Sequence, residues 1–395
     1  MILKHILDPE IKEFMRRNDD ADIRELALKK PPSADWPYPL ILDQIKARQK
    51  AAVKIPSWSE HPDIVFPSSD LIEQASSTAT AQYKAVLASG RSFADLTGGA
   101  GVDCAALASR FERGICIDCE ENAAALLSHN LARLTQTPIE VYCESAENFL
   151  GRIEPVDLIM IDPQRRTQTR KGFFRLEDCS PDVPALLELL KTKTKRALIK
   201  TSPMLDIAQA IIDLGCVRAV HILEWRGDCK EVVYDLDFES PPASEDIPRI
   251  CVSLDDEGAV LKRFEFSPSQ EQARAETTLP QAFLYEPGPA FQKAGGFNAI
   301  AHRYSVQKLH EHTHLYTSEI YNPDFPGRAF EIIEILPVQH KALPLKKANL
   351  SIRNFPGDVA SLRKKLKLQE GGDSYLFACT LADERKVLVH GRKAG

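Results

Sequence analysis

Two short segments hold residue types whose spacing could do chemistry. FADLTGGAGVD (93–103) closes an apolar run with Asp95 and packs Gly98, Gly99 and Gly101 into four positions. IMIDPQRR (159–166) brings Asp162 and Pro163 to the end of another apolar run. A glycine turn between a strand and its helix lets a ligand approach the backbone and meet free N–H groups at the helix start. An acid at a strand's carboxyl end lies on the edge where open α/β sheets bind ligands. These segments can only cooperate if a parallel sheet places both strand ends side by side.

The surrounding texture is that of such a sheet. From Phe93 onward short apolar runs alternate with amphipathic segments, as βαβ units do. Strands are expected at SFADL, GICID (114–118), IEVYC (139–143), VDLIMID (156–162), RALIK (196–200), VRAVHILEW (217–225) and EVVYDLDF (231–238). The last two are close in sequence, too close for a crossover helix, so they should pair antiparallel at the end of a seven-stranded sheet. Residues 1–90 read as an N-terminal helical domain. Asp8-Pro9 opens one helix with Ile11, Phe14 and Met15 on one stripe, and further helices run near 41–53 and 78–88 with Gly90 as a stop. The sheet domain spans 91–240. SPPASEDIP (240–248) reads as a linker. An α+β connecting domain follows over 249–329, beginning with a hairpin around DDEG, and a small α+β unit closes the chain at 330–395.

Composition narrows the function classes. The chain has 395 residues, 44% hydrophobic and 27% charged, with no apolar stretch long enough to span a bilayer, which suits a soluble cytoplasmic protein of two or three domains. Nine cysteines give no disulfide framework. The net charge of -6 argues against indiscriminate nucleic-acid binding but allows a local basic face.

Two ligand classes use a glycine turn of this kind. A dinucleotide fold wants G-x-G-x-x-G, and here Cys104 stands at the third glycine position. Asp95 is placed to accept hydrogen bonds from an ammonium or an ordered water rather than to face a pyrophosphate, so a ligand without phosphate, such as S-adenosylmethionine, fits better. Asp118, closing the second strand, could bind ribose hydroxyls in either class.

On Asp95 to Gly101 and Asp162-Pro163-Gln164-Arg165 the chain resembles the class I S-adenosylmethionine-dependent methyltransferases. Their first motif is D-x-x-x-G-x-G, and their amino-methylating branch carries a DPP-aromatic motif that is matched here in part. The resemblance covers about residues 75–240 and implies a Rossmann-like methyltransferase sheet. It implies that Asp95, Thr97, Gly98, Gly99 and Gly101 face the cofactor's amino acid end, that Asp118 takes its ribose, and that Ser145 and Ala146 flank adenine. The family usually has Asp where Ser145 stands. SIRNFPGDVASLRKKLKL and EGGDSYLFACTL resemble the THUMP-like C-terminal domain of a bacterial subgroup that also carries a DP-x-RR motif.

Methyl transfer from a sulfonium is an in-line displacement, so alignment is the main task. An exocyclic base amine has its lone pair delocalised into the ring and needs acceptors that turn it toward the methyl. Asp162, with the carbonyl of Pro163 or Gln164, could take both N–H groups. Arg165 replaces the branch's stacking aromatic; it could stack on a base itself, or Phe173 or Phe174 could supply the ring, unless these only anchor a surface loop. Arg165 and Arg166 are expected to touch phosphate or base, with Glu177 and Asp178 as the alternative local partners. Lys200, ending the fifth strand, points toward the same edge and could touch phosphate.

Other signals carry less. CIDC (116–119) has zinc spacing without a second pair, so a buried Cys116 is the expectation. His310, His312 and His314 could share one face, yet no ligand partner is fixed by spacing, and no metal is expected. Cys179 and Cys229 are the cysteines to consider as nucleophiles. Residues 341–369 hold eight Lys and Arg against Asp358, a local charge of +7, where phosphate contacts would be expected. The resulting reading is a methyltransferase for a nucleobase amine in tRNA or rRNA, with S-adenosylmethionine as cofactor and RNA as partner. The alternatives are a non-catalytic RNA-binding adaptor, and a methyltransferase for protein or a small molecule.

Overall fold

The computed structural model describes residues 2–165, 175–241, 246–339, 341 and 343–394. The chain divides into two compact units: residues 1–226, 230–245 and 254–261, and residues 227–229, 246–253 and 262–395. The first opens with helices. Asp8 accepts the amides of Glu10 and Ile11 and so caps the helix Pro9–Arg17, which buries Ile11 and Met15 as its stripe requires. Tyr38–Lys54 and Thr78–Val86 follow. Gly90 does not stop the latter helix. It begins the first strand, because the chain turns at Leu87 and Gly90 is paired to Phe111.

Seven strands follow in the first unit: β1 (Gly90–Asp95), β2 (Phe111–Asp118), β3 (Ile139–Cys143), β4 (Leu158–Ile161), β5 (Arg196–Thr201), β6 (Val217–Trp225) and β7 (Asp228–Asp237). They lie in the order β3-β2-β1-β4-β5-β7-β6. The pairs β1–β2, β2–β3, β1–β4 and β4–β5 are parallel, and β7 runs antiparallel to β5. A two-residue link, Arg226-Gly227, joins β6 to β7 with both φ angles positive (52° and 73°), the conformation that matches hairpin twist. The hairpin expected around DDEG forms from Arg249–Leu254 and Val260–Phe266.

Strand order reverses between β1 and β4, which are neighbours in space but separated in sequence by two other strands. That is the switch point where a crevice opens beyond the carboxyl ends. It places Asp95, the last residue of β1, beside Asp162, the residue after β4. Close packing fixes the β1–β2 register: Phe93 lies opposite Gly114, and a Cβ there would come within 2.4 Å of the Phe93 ring.

The second unit holds a seven-stranded sheet among the described residues, in the order 307–308, 316–318, 283–287, 327–337, 386–393, 374–380, 349–353. Its last two strands are parallel and are linked through the helix Val359–Leu366, with Leu362, Leu366, Leu350, Leu376 and Leu388 buried between helix and sheet. The segment 267–329, which gives little signal in sequence, contains short helices and strands of two to five residues. Among the described residues no helix is long and apolar enough to cross a membrane.

Gly114→Ala should lower the stability of the first unit by about 1–3 kcal/mol, the usual cost of overpacking, read as a fall in the urea midpoint with unchanged slope.

Candidate active site

The crevice at the switch point is a cleft of about 540 Å³. It brings together Asp95, Thr97, Gly98, Gly99, Gly101, Asp162, Pro163, Gln164, Arg165 and Lys200. Gly99 and Gly101 have φ of +53° and +86°, backbone conformations that side chains resist. Gly98 is needed for space, since a Cβ would lie 2.6 Å from Leu127 Cδ1 and 2.7 Å from Cys116 Sγ. The loop's amides are not free, contrary to the sequence reading. Gly98 N–H donates to the Ile117 carbonyl (2.7 Å), Gly101 N–H to the Gly98 carbonyl (2.8 Å) and Gly99 N–H to Asp118 Oδ2 (3.0 Å). A pyrophosphate would meet acids here and find these three donors already bonded.

Asp95 is 2% exposed. Its Oδ1 accepts from Thr97 N–H at 3.0 Å, with Thr97 Oγ1 at 3.5 Å. The same hydroxyl accepts from the Asp162 backbone N–H at 2.7 Å. Thr97 thus ties the end of β1 to the residue that follows β4. Burial pushes the Asp95 carboxyl up to about 7, against the Thr97 hydrogen bond.

Asp162 faces Lys200 across 2.6 Å. Burial raises its carboxyl above the ordinary range and the Lys200 charge opposes that rise. The next two residues, Gln164 and Arg165, pair antiparallel with Ser180 and Cys179 in a two-stranded ribbon, which fixes the direction of the chain leaving Asp162-Pro163. Arg166, Phe173 and Phe174 lie outside the described residues.

Asp118, at the end of β2, stands beside the glycine loop and accepts Gly99 N–H on one oxygen and Glu120 N–H on the other. Ser145 accepts Asn148 N–H and caps the helix that starts at Ala146, on the adjoining β3 turn. Cys116 is buried, and with Cys104 and Asp95 it places two thiols and a carboxylate within 4.8 Å of one another. Cys179 is buried with its thiol toward the Arg175 carbonyl (3.6 Å). Of the three histidines, His310 lies with its Nε2 3.1 Å from Glu384 and accepts the His312 N–H on Nδ1 at 3.0 Å, while His314 stacks on Phe297 with ring centroids 3.5 Å apart.

Sequence reasoning missed the groups beneath Asp162. Lys84, 1% exposed, bridges Glu231 and Asp103 (3.0 Å) and donates to Ser76 Oγ (2.9 Å). Thr80 Oγ1 donates to Glu231 (2.6 Å). Lys200 also reaches Ser76 Oγ (3.1 Å) and Asp103 (3.5 Å), so its ammonium is committed inside the protein rather than offered to phosphate. Burial works against the Asp103 charge, but Lys84, Lys200 and Ser76 bring its carboxyl down to about 2. Lysine in the small-residue helix TATAQYKAV and glutamate beginning the apolar run EVVYDLDF were the available signals. Lys54 pins the wall that supplies Ser76, its ammonium donating to the carbonyls of Ile72 (3.1 Å), Glu73 (2.5 Å) and Ala75 (2.5 Å).

The geometry defines a methyltransferase-like α/β fold with its crevice between two strand-end carboxylates. Residues 283–326 match a ferredoxin-like domain family and residues 327–393 match the THUMP domain-like family. A crystal structure of a candidate methyltransferase from Porphyromonas gingivalis W83 is 29% identical, covers 99% of both chains and superposes with a TM-score of 0.87. An rRNA methylase from Streptococcus thermophilus is 17% identical over 40% of this chain and 93% of its own, with a TM-score of 0.30. TrmK of M. capricolum, solved with S-adenosylhomocysteine, is 12% identical over 40% and 67%, with a TM-score of 0.31. Likeness at those last two scores bears on neither fold nor function. None of the curated proteins matches the chain.

Asp95 holds its proton in the folded state up to about pH 7, whereas an unfolded aspartate loses it near 3.8. Between those values the folded protein binds more protons, so this group's contribution to stability falls as pH rises. Asp95→Asn keeps the acceptor oxygen and removes that dependence. It should stabilise the unliganded protein by about 1–3 kcal/mol at pH 7 and by progressively less toward pH 4, measured by denaturant titration across that range.

Proposed function

We propose that the protein is an S-adenosylmethionine-dependent methyltransferase acting on a nucleobase amine of structured RNA, tRNA or rRNA. The observation that carries this reading is the juxtaposition of Asp162 with the glycine loop across one cleft, tied through Thr97 Oγ1. The whole-length likeness to the candidate methyltransferase supports the activity, and the THUMP-like region supports RNA as substrate.

The residues present fit the cofactor. Gly99 opens onto space, its built Cβ meeting no atom closer than 3.8 Å, so a ligand can lie against the backbone. Asp95 is a buried acceptor suited to an ammonium. Asp118 keeps lone pairs for hydroxyls beyond its two amide bonds. Ser145 and Ala146 are the proposed wall for the base. When bound, S-adenosylmethionine supplies a methyl group on a positively charged sulfur.

Asp162 accepts one N–H of the substrate amine, and the carbonyl of Pro163 or Gln164 accepts the other. This turns the nitrogen lone pair toward the methyl and contributes the orientation that a displacement reaction requires. Asp162 would take the proton that the amine sheds on methylation. Arg165, with Arg166 and Phe173 or Phe174, is proposed to hold the flanking nucleotide by phosphate contact and stacking. On the C-terminal helix Val359–Leu366, Lys364 and Lys365 are exposed, and Lys367 follows it, also exposed. These are the proposed phosphate contacts.

Labelled S-adenosylmethionine incubated with the protein and with separated RNA, protein and metabolite pools should place label in the RNA. Label in another pool reassigns the substrate, and label in none supports the adaptor reading. Asp162→Ala should abolish transfer while leaving S-adenosylhomocysteine binding intact by calorimetry; full transfer in that variant removes Asp162 from the mechanism. Replacing Lys364 and Lys365 together by Glu should weaken RNA retention and flatten its dependence on log salt by about two. An unchanged slope would place RNA elsewhere.

A further inference from the structure

Lys200 is 5% exposed, and its charge is held by groups from four separate segments. Asp162 Oδ2 lies 2.6 Å from its Nζ, Ser76 Oγ 3.1 Å and Asp103 Oδ2 3.5 Å, and Glu231 also acts on it through space. The Asp162 side chain is 35% exposed on the cleft side. Its backbone N–H is bonded to Thr97, and among the described residues its Oδ1 has no hydrogen-bond partner. One carboxylate oxygen is therefore fixed and the other presented.

A second lysine makes that arrangement possible. Asp103 and Glu231 would compete with Asp162 for Lys200 if left to themselves. Lys84 holds both, at 3.0 Å from Asp103 and in a short contact with Glu231, with Ser76 Oγ shared between the two ammonium groups. Thr80 satisfies the other Glu231 oxygen at 2.6 Å.

We infer that Lys200 is a positioning residue for the transfer reaction, tying down one oxygen of Asp162 so that the other meets the substrate amine, while Lys84 takes the closer contacts of Asp103 and Glu231. This rests on the role proposed for Asp162 above. Lys200 itself touches neither substrate nor cofactor in this scheme.

The inference has a signature that mere support of the fold lacks. Without Lys200, Asp103 and Glu231 would be left acting on Asp162 in a site that already favours its neutral form, with Arg165 and Lys230 the other cations lining the cleft. The carboxyl would hold its proton to higher pH than in the wild type, and in that form it loses its acceptor function.

The test uses the full chain with Lys200→Met, Lys200→Gln and Lys200→Arg, each checked for native circular dichroism and for S-adenosylhomocysteine binding. Infrared difference spectra of each against its Asp162→Asn double variant, recorded across pH, report the Asp162 carboxylate directly and need no methyl transfer. The inference expects Asp162 to ionise at higher pH in Lys200→Met or, should that variant not fold, in Lys200→Gln, than in the wild type and in Lys200→Arg. Asp162 ionised over the same pH range in every variant overturns it. In the labelled-RNA assay kcat should fall about 10²- to 10⁴-fold at pH 7 in the neutral variants, with KM little changed, and recover as pH rises. A drop that is flat with pH also overturns it. If the wild type transfers label to no pool, the functional reading fails separately, and the infrared result still decides what Lys200 does to Asp162.

Discussion

Two ammonium groups, Lys84 and Lys200, lie beneath the carboxyl edge of the sheet with Asp103, Asp162 and Glu231 around them, and every other feature of the cleft is arranged on top of that cluster. Charges taken out of water are stabilised only by partners with good geometry and satisfied hydrogen bonds. Here Ser76 and Thr80 supply the neutral bonds that complete the set. Removing one partner would strand a buried charge, which typically costs about 3–5 kcal/mol and makes such a cluster hard to change piecemeal. The cluster also joins elements far apart in sequence: the turn at Ser76, the helix holding Lys84, the helix start at Asp103, and the ends of β4, β5 and β7.

The strand topology gives the cluster its position. Because β1 and β4 are neighbours, Asp95 and Asp162 emerge side by side, and a single hydroxyl, Thr97 Oγ1, touches both. The two carboxylates then diverge in environment. Asp95 is almost fully buried, with the Thr97 amide and hydroxyl as its hydrogen-bond partners, and becomes a weak acid suited to meeting a cation. Asp162 keeps a cationic partner and an open face. Residue type alone does not distinguish them; what lies within 4 Å does.

That difference marks where the sequence was legible. The glycine turn could be read because Gly99 and Gly101 occupy positive φ and Gly98 faces Leu127 and Cys116, constraints local enough to show in eleven residues. Asp95 and Asp162 could be read because strand ends are where such sheets act. Ser76, Lys84 and Glu231 were not singled out, since each sits in an ordinary turn, helix or strand and acquires meaning only through partners on other elements, from Ser76 with Lys84 to Lys84 with Glu231. Lys200 was placed on the right edge but given an outward role, because periodicity shows which strand end a side chain leaves and not what it meets. In the second unit the longer strands and the helix Val359–Leu366 were clear from their apolar spacing. Segment 267–329 was not, as strands of two to five residues are too short to display an alternation.

The account turns on where a sulfonium donor sits relative to Asp162. A crystal of the protein soaked with S-adenosylhomocysteine tests this most directly. The account predicts the ligand's amino acid end against Asp95 and Gly98–Gly101, with its sulfur facing Asp162 across the cleft. Density for the ligand elsewhere, a sulfur turned away from Asp162, or a cleft that stays empty at saturating ligand would contradict it.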